Sequence, residues 1–205
     1  MHVVALLAPI GSGLAIGTLQ AHAAPGRRLP WLSLATGLLV ATMLGLQFRI
    51  PTLLDHLARA PALLTEGQMW RAFTALFVQD GGLAGGIFNL VLLVAVGPIA
   101  ECRLGPWHWA IIYFGGGIVT ELAALAWQPN GAGNSIACFA LAGALVVTGL
   151  IRKPGWLSLV ASLAGLAGAF VLLTNQDIHG IGFLVGTAMG AALVRLGRPN
   201  AKAAG

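Results

Sequence analysis

Charge is what this sequence has least of. Only 8% of its 205 residues are Asp, Glu, Lys or Arg, against 58% hydrophobic. A soluble domain of this length needs a charged surface, and the residues to make one are missing. A mean hydropathy of +0.87 points the same way, so the chain reads as a membrane protein with little room for a soluble domain beside its spans. The two cysteines, Cys102 and Cys138, stand at or inside predicted spans. They allow one disulfide and exclude a disulfide framework. No His, Cys, Asp and Glu cluster has metal-ligand spacing. His2, His22, His56 and His108 are scattered and read as interfacial residues, so neither a metal nor a cofactor is expected. The net charge of +5 rests on 11 Lys and Arg, most of them in short loops between apolar runs. That distribution fits membrane topology, and no nucleic-acid partner is expected. Internal repeats and low-complexity tracts are absent too.

What is present is a series of seven apolar runs, roughly Val3–Leu19, Trp31–Phe48, Leu83–Ala100, Trp107–Trp127, Ser135–Ile151, Trp156–Thr174 and Ile178–Val194. A helix crossing a hydrocarbon core of about 30 Å needs about 20 residues. The runs are continuously apolar rather than alternating, which argues against strands and for helices that satisfy their own backbone. The expected fold class is all-α, a polytopic helical membrane bundle. Arg27 and Arg28, Arg103, Arg152 and Lys153, and Arg195, Arg198 and Lys202 all fall on one face if the N-terminus is outside and the C-terminus cytoplasmic. The loops Gln128–Asn134 and Asn175–Asp177 carry no basic residue, as outer loops should. The exception is Arg49–Gly82, an outer loop holding Arg49, Arg59 and Arg71. Its Leu53, Leu54, Leu57 and Ala58 recur at near-helical spacing, which predicts a partly helical segment lying in the interface. Ala21-His22-Ala23 resembles a signal-peptidase site. No basic stretch precedes the first run, however, and cleavage would leave Arg27 and Arg28 outside, so that run is expected to be a retained helix.

Polar residues inside spans are costly and each needs a reason. Asn89, Glu121, Ser135 and His179 stand out. At a helical rise of about 1.5 Å per residue, Ser135 stands about 25 Å above Arg152, and His179 about 24 Å above Arg195. Equal depth is a necessary condition for a nucleophile and a base to meet. Gly182, Gly186 and Gly190 form a small-residue stripe one turn beyond His179, with Ala140, Gly143 and Ala144 as possible partners. Plainer readings stand beside these. A serine at a helix start is usually an N-cap, a histidine at a membrane helix end is usually interfacial, and small-residue stripes are common in membranes. Glu121, about 10 Å into its span from Gln128, either holds water near Ser135 and His179, marks an ion path, or pairs with a donor in a structural role.

Several motifs resemble those of the rhomboid intramembrane serine proteases, over roughly Trp31 to Arg195. They are Trp70-Arg71 followed by Phe73, Thr74 and Phe77; Asn89; Gly97, Glu101 and Gly105 at four-residue spacing; Gly133-Asn134-Ser135 followed by Ala137, Phe139, Leu141, Gly143 and Ala144; and His179, Gly182 and Gly186. The resemblance implies a rhomboid-like six-helix core over 31–196, an extra N-terminal helix and basic loop over 1–30, and a short cytoplasmic tail over 197–205. It implies Ser135 as nucleophile and His179 as general base, with no acidic third member. Phe139 would pack on the imidazole. Asn89 and the Ser135 N–H would form an oxyanion site, with Gly133 and Gly182 in support. The implied partners are the lipid bilayer and a single-span membrane protein cut near its outer end, at the plasma membrane. Substrate and water would enter through the outer loops and the gap between the spans Leu83–Ala100 and Trp156–Thr174.

Departures from the family pattern are Gly85 and Gln79, where the family usually has histidines, and Ile136, where a glycine usually follows the serine. They keep open a second reading, a catalytically silent rhomboid-like protein that binds membrane helices. A small transporter or channel is a third, drawn from Glu121 and the glycine content. Against it stands the lack of two comparable half-repeats with broken helices.

Overall fold

In the computed structural model the described residues are 2–21, 29–152 and 155–196. Most of the Ala21-His22-Ala23 motif, together with Arg27, Arg28, Lys153, Arg198, Lys202 and the tail 197–205, lies outside them. The described elements are α1 (His2–Ala21) and α2 (Trp31–Gln47), three short loop helices α3 (Leu53–Leu57), α4 (Pro61–Thr65) and α5 (Arg71–Thr74), then α6 (Gly82–Leu104), α7 (Pro106–Ala110) and α8 (Gly116–Ala123), and finally α9 (Ser135–Arg152), α10 (Trp156–Thr174) and α11 (Ile178–Leu196). A π-helical turn at Ile111–Gly115 joins α7 to α8, and a short 3₁₀ turn at Ala124–Ala126 follows. Five of these helical stretches are long and apolar enough to cross a membrane, and two shorter apolar helices, Val4–Thr18 and Trp31–Gln47, accompany them. The chain is an integral, multi-pass helical membrane bundle.

The centre of the bundle is α9, where every residue from Ser135 to Val146 is buried. Large apolar side chains stay exposed on its neighbours instead, such as Leu38 on α2, Val91 and Val94 on α6, and Leu163 and Phe170 on α10. In water such faces would be a liability, and in hydrocarbon they are the expected outer surface. Against α9 lies α11, at a distance only glycine permits. A Cβ on Gly182 would stand 2.7 Å from the Ile136 carbonyl oxygen, and one on Gly190 2.9 Å from the Ala144 Cα. Between them, Gly186 abuts the Ala140 carbonyl and Gly143 abuts that of Phe183.

The expected end of the third span at Ala100 falls short, since α6 runs on to Leu104. Its two charges there are matched. The buried Glu101 carboxylate accepts from the N–H groups of Leu32 (3.1 Å) and Ser33 (2.7 Å) and from the Ser33 hydroxyl (2.8 Å). It therefore closes the N-terminus of α2, where free donors and the helix dipole favour a negative charge. Arg103 donates through Nε to the Gly17 carbonyl of α1 at 3.1 Å.

The segment between α2 and α6 is partly helical, and Arg71 ties it together. Its guanidinium is buried and donates to the carbonyls of Asp55 (2.8 Å) and Ala58 (2.9 Å), while Nε donates to Gln68 Oε1 (2.7 Å). The Thr74 hydroxyl adds a bond to the Leu57 carbonyl at 2.8 Å.

Candidate active site

Local chain geometry delivers Ser135. Gly133 adopts φ +151°, a conformation that disfavours any side chain, and its N–H donates to the Ala75 carbonyl at 2.9 Å. A Cβ there would also stand 3.0 Å from Asn89 Nδ2 and 3.7 Å from Ser135 Oγ. Glycine therefore leaves open the space in front of the serine. The first hydrogen bond of α9 runs from Cys138 N–H to the Asn134 carbonyl at 3.1 Å. The N–H groups of Ser135, Ile136 and Ala137 precede it and have no helical acceptor.

Ser135 Oγ lies 2.8 Å from His179 Nε2. The ring of Phe139, one turn along α9 from Ser135, is centred 4.8 Å from the imidazole at an interplanar angle of 54°. The glycine contacts between α9 and α11 set this approach, with Gly182 packed beneath the Ile136 carbonyl.

No acidic third member was expected, yet an acidic side chain, Asp177, does stand beside His179. Asp177 Oδ1 is 2.5 Å from His179 Nδ1 and accepts the His179 backbone N–H at 2.9 Å. The cause is the tightness of the turn before α11. The Asp177 N–H donates back to the Leu172 carbonyl at 2.9 Å, and Gln176 is held at φ +57°. This winds Asp177 into the N-cap position of α11, from which one carboxylate oxygen reaches both the backbone and the ring of a residue two places on.

Asn89 lies beside Gly133 in a polar cluster. Its Nδ2 donates to Gln79 Oε1 at 2.7 Å, and its carbonyl accepts from Asn134 Nδ2 at 3.2 Å. Gln79 is buried and donates through Nε2 to Asn134 Oδ1 at 3.0 Å. Its backbone is clamped by the Gln47 amide, which both accepts from and donates to it at 2.9 Å. Gln79 thus fixes the Asn89 amide while leaving its second N–H unused by this bond. Gln79→Leu should leave the Asn89 and Asn134 amides short of a partner and cost about 1–3 kcal/mol. Thermal unfolding in detergent checks this, and an unchanged midpoint would show that the cluster contributes nothing.

Gly85 and Ile136 both line the cavity of about 510 Å³ that holds Ser135, His179 and Asn89. A Cβ at Gly85 would meet nothing within 4 Å, and Ile136 is buried in the cavity wall. Leu6 of α1 also lines this cavity. Helix α1 packs against α6, α9 and α10. A Cβ on Gly13 would stand 2.8 Å from Ala142 of α9, and one on Gly168 of α10 2.7 Å from Pro9. The gap expected between the third and sixth spans is therefore occupied by α1, because its small residues let it settle into the groove. The rest of the cavity lining comes from Phe88 of α6, Glu121 of α8 and Ile178 of α11, and from loop residues that include Asp80, Gly81, Asn130 and Ala132.

Glu121 pairs with Arg59, which sequence reasoning passed over. The Arg59 Nη1 and Glu121 Oε2 atoms are in direct contact, and both side chains are almost wholly buried. Arg59 also donates to the carbonyls of Pro129 (3.1 Å) and Gln128 (2.5 Å), and its backbone N–H donates to the Gly131 carbonyl at 3.0 Å. Burial lowers the Arg59 guanidinium to about 10, with Asp80 pulling the other way, so it is still charged at neutral pH. The available signal was an outer loop carrying basic residues against the expected topology, Arg59 among them, and an acid in a span with no partner in view. Cys102 and Cys138 form no disulfide. Among the described residues no acidic, histidine and cysteine side chains cluster as a metal site would require.

Comparison with known proteins places these residues in context. The Rhomboid domain family model matches residues 66–200. The chain is 30% identical over 161 residues to the Rhomboid protease GluP of Bacillus subtilis, covering 75% of this chain and 31% of that one. It is 30% identical over 145 residues to the Rhomboid-type serine protease 2 of Emericella nidulans, covering 65% of this chain and 28% of that one. It thus spans less than a third of the length of these curated relatives.

Proposed function

The chain belongs to the rhomboid family, and on that premise we propose that it is an intramembrane serine endopeptidase. Ser135 is the nucleophile and His179 the general base. The Ser135 hydroxyl proton passes to His179 Nε2 as Oγ bonds to the carbonyl carbon of the scissile peptide. The oxyanion that forms is received by first-turn N–H groups of α9 and by the Asn89 amide, where the helix dipole also favours negative charge. His179 then returns the proton to the leaving amine, the C–N bond breaks and an acyl-Ser135 is left. A water molecule, deprotonated by His179, hydrolyses that ester. The substrate is a membrane protein segment, in this reading a single span cut near its outer end. With α1 between α6 and α10, the loop end of the cavity is its way in. The plasma membrane, with the N-terminus outside, is the proposed setting.

The observation that carries this reading is the 2.8 Å approach of Ser135 Oγ to His179 Nε2 at the wall of a cavity. The catalytically silent reading rests on Gly85, Gln79 and Ile136. Of these, Gln79 supports Asn89 rather than displacing it. Labelling of the detergent-folded protein with a fluorophosphonate probe tests the proposal without a known substrate. Label should map to Ser135, vanish in Ser135→Ala, and fall by roughly 10²–10⁴-fold in His179→Ala. A folded wild type that takes no label would favour the silent helix-binding protein.

A further inference from the structure

We propose that Asp177 is a positioning residue for His179, so that the site operates as a three-membered Ser135–His179–Asp177 arrangement. This rests on the reading of Ser135 and His179 as nucleophile and base. A neutral imidazole carries one N–H and one lone pair. To accept the Ser135 proton, His179 must present its lone pair at Nε2 and keep its hydrogen on Nδ1. The Phe139 ring restrains the plane of the imidazole but has no means of selecting the tautomer. The Asp177 carboxylate does, because an acceptor 2.5 Å from Nδ1 requires the hydrogen to be there. When His179 takes up the serine proton, the same carboxylate faces the new imidazolium charge. Asp177 stays ionised and accepts no proton, so its part is orientation and charge stabilisation.

The competing account is that Asp177 merely caps α11, since the same oxygen accepts the His179 backbone N–H at 2.9 Å. Two substitutions separate the roles. Asn and Ser are both good N-caps and preserve that bond. Asn brings no negative charge, and Ser is too short to reach the ring.

The experiment uses the full chain in detergent and measures the fluorophosphonate labelling rate, the thermal midpoint and the Nδ1 proton resonance of 15N-histidine-labelled protein. Asp177→Asn and Asp177→Ser should keep the wild-type midpoint and lose roughly 10²-fold in labelling rate. The far-downfield Nδ1 proton of His179, present in wild type, should vanish in Asp177→Ser. Wild-type labelling rates in both variants would overturn the proposal and leave Asp177 as a cap. Should the variants unfold, the wild-type spectrum decides alone: a His179 without a hydrogen-bonded Nδ1 proton overturns it. Failure of the parent reading looks different, because Ser135 then takes no label while the Nδ1 resonance still reports on Asp177.

Discussion

Gly186→Val should drive α11 away from α9 and leave little folded protein. A side chain at 186 falls far inside contact with the Ala140 carbonyl, and that obstacle is backbone. A flexible side chain could turn aside, but a helix backbone cannot. The neighbouring contacts at Gly143, Gly182 and Gly190 prevent relief by a local shift, since each is already at the limit glycine allows. The smaller Gly186→Ala is the more informative variant. It should fold with a lowered midpoint and hold the two helices further apart. Ser135 stands on one of these helices and His179 on the other, and misplacing reacting groups by about 1 Å costs about 10²-fold in rate. Labelling should therefore fall at least that far. Gly85→Ala serves as the control, because a Cβ there meets nothing within 4 Å; it should leave the midpoint unchanged or raised. A Gly186→Ala protein with the wild-type midpoint and labelling rate would sink this account of how the site is assembled.

Glu121→Ala should cost about 3–5 kcal/mol, the usual penalty for stranding one member of a buried ion pair. Burial already disfavours the Arg59 cation with its partner present. Removing Glu121 leaves only backbone carbonyls and the more distant Asp80 to answer the charge. The double variant Arg59→Met with Glu121→Leu should recover much of the loss, because no uncompensated charge is left and apolar replacements of similar volume are often neutral. A double-mutant cycle on thermal or denaturant unfolding measures the coupling. The loop 128–131 should loosen with it, since Arg59 joins that loop to the segment between α2 and α6. If Glu121→Ala melts with the wild type, the pair is not the brace described. The same contact weakens the transporter reading, which needed Glu121 available to an ion.

Much of this protein was legible along one dimension. Hydrophobic runs long enough to span a bilayer are a local property of the chain, and they marked the helices to within a few residues. The clearest departure was the end of α6, which runs past the expected Ala100 through Glu101 and Arg103 to Leu104. Each finds a partner on another helix, Glu101 at the α2 N-terminus and Arg103 at the Gly17 carbonyl, and a matched charge need not end a helix. The common depth of Ser135 and His179 followed from helical rise alone, and the glycine stripe beyond His179 indicated which face of that helix would tolerate a close neighbour.

What the sequence by itself determined was therefore the class of protein, the order of its long apolar helical runs, and the common level of Ser135 and His179, since composition, run length and rise per residue need no knowledge of neighbours. The tertiary structure decided which of those residues meet. It set α1 into the groove between α6 and α10, brought Arg59 onto Glu121 across more than sixty residues of chain, placed Gln79 under Asn89, and wound Asp177 back onto the ring of His179. The physical reason is the same in each case. These contacts depend on how each helix is rotated about its axis and on the course of short irregular turns, and those are fixed only when packing and hydrogen bonding are satisfied throughout the bundle at once.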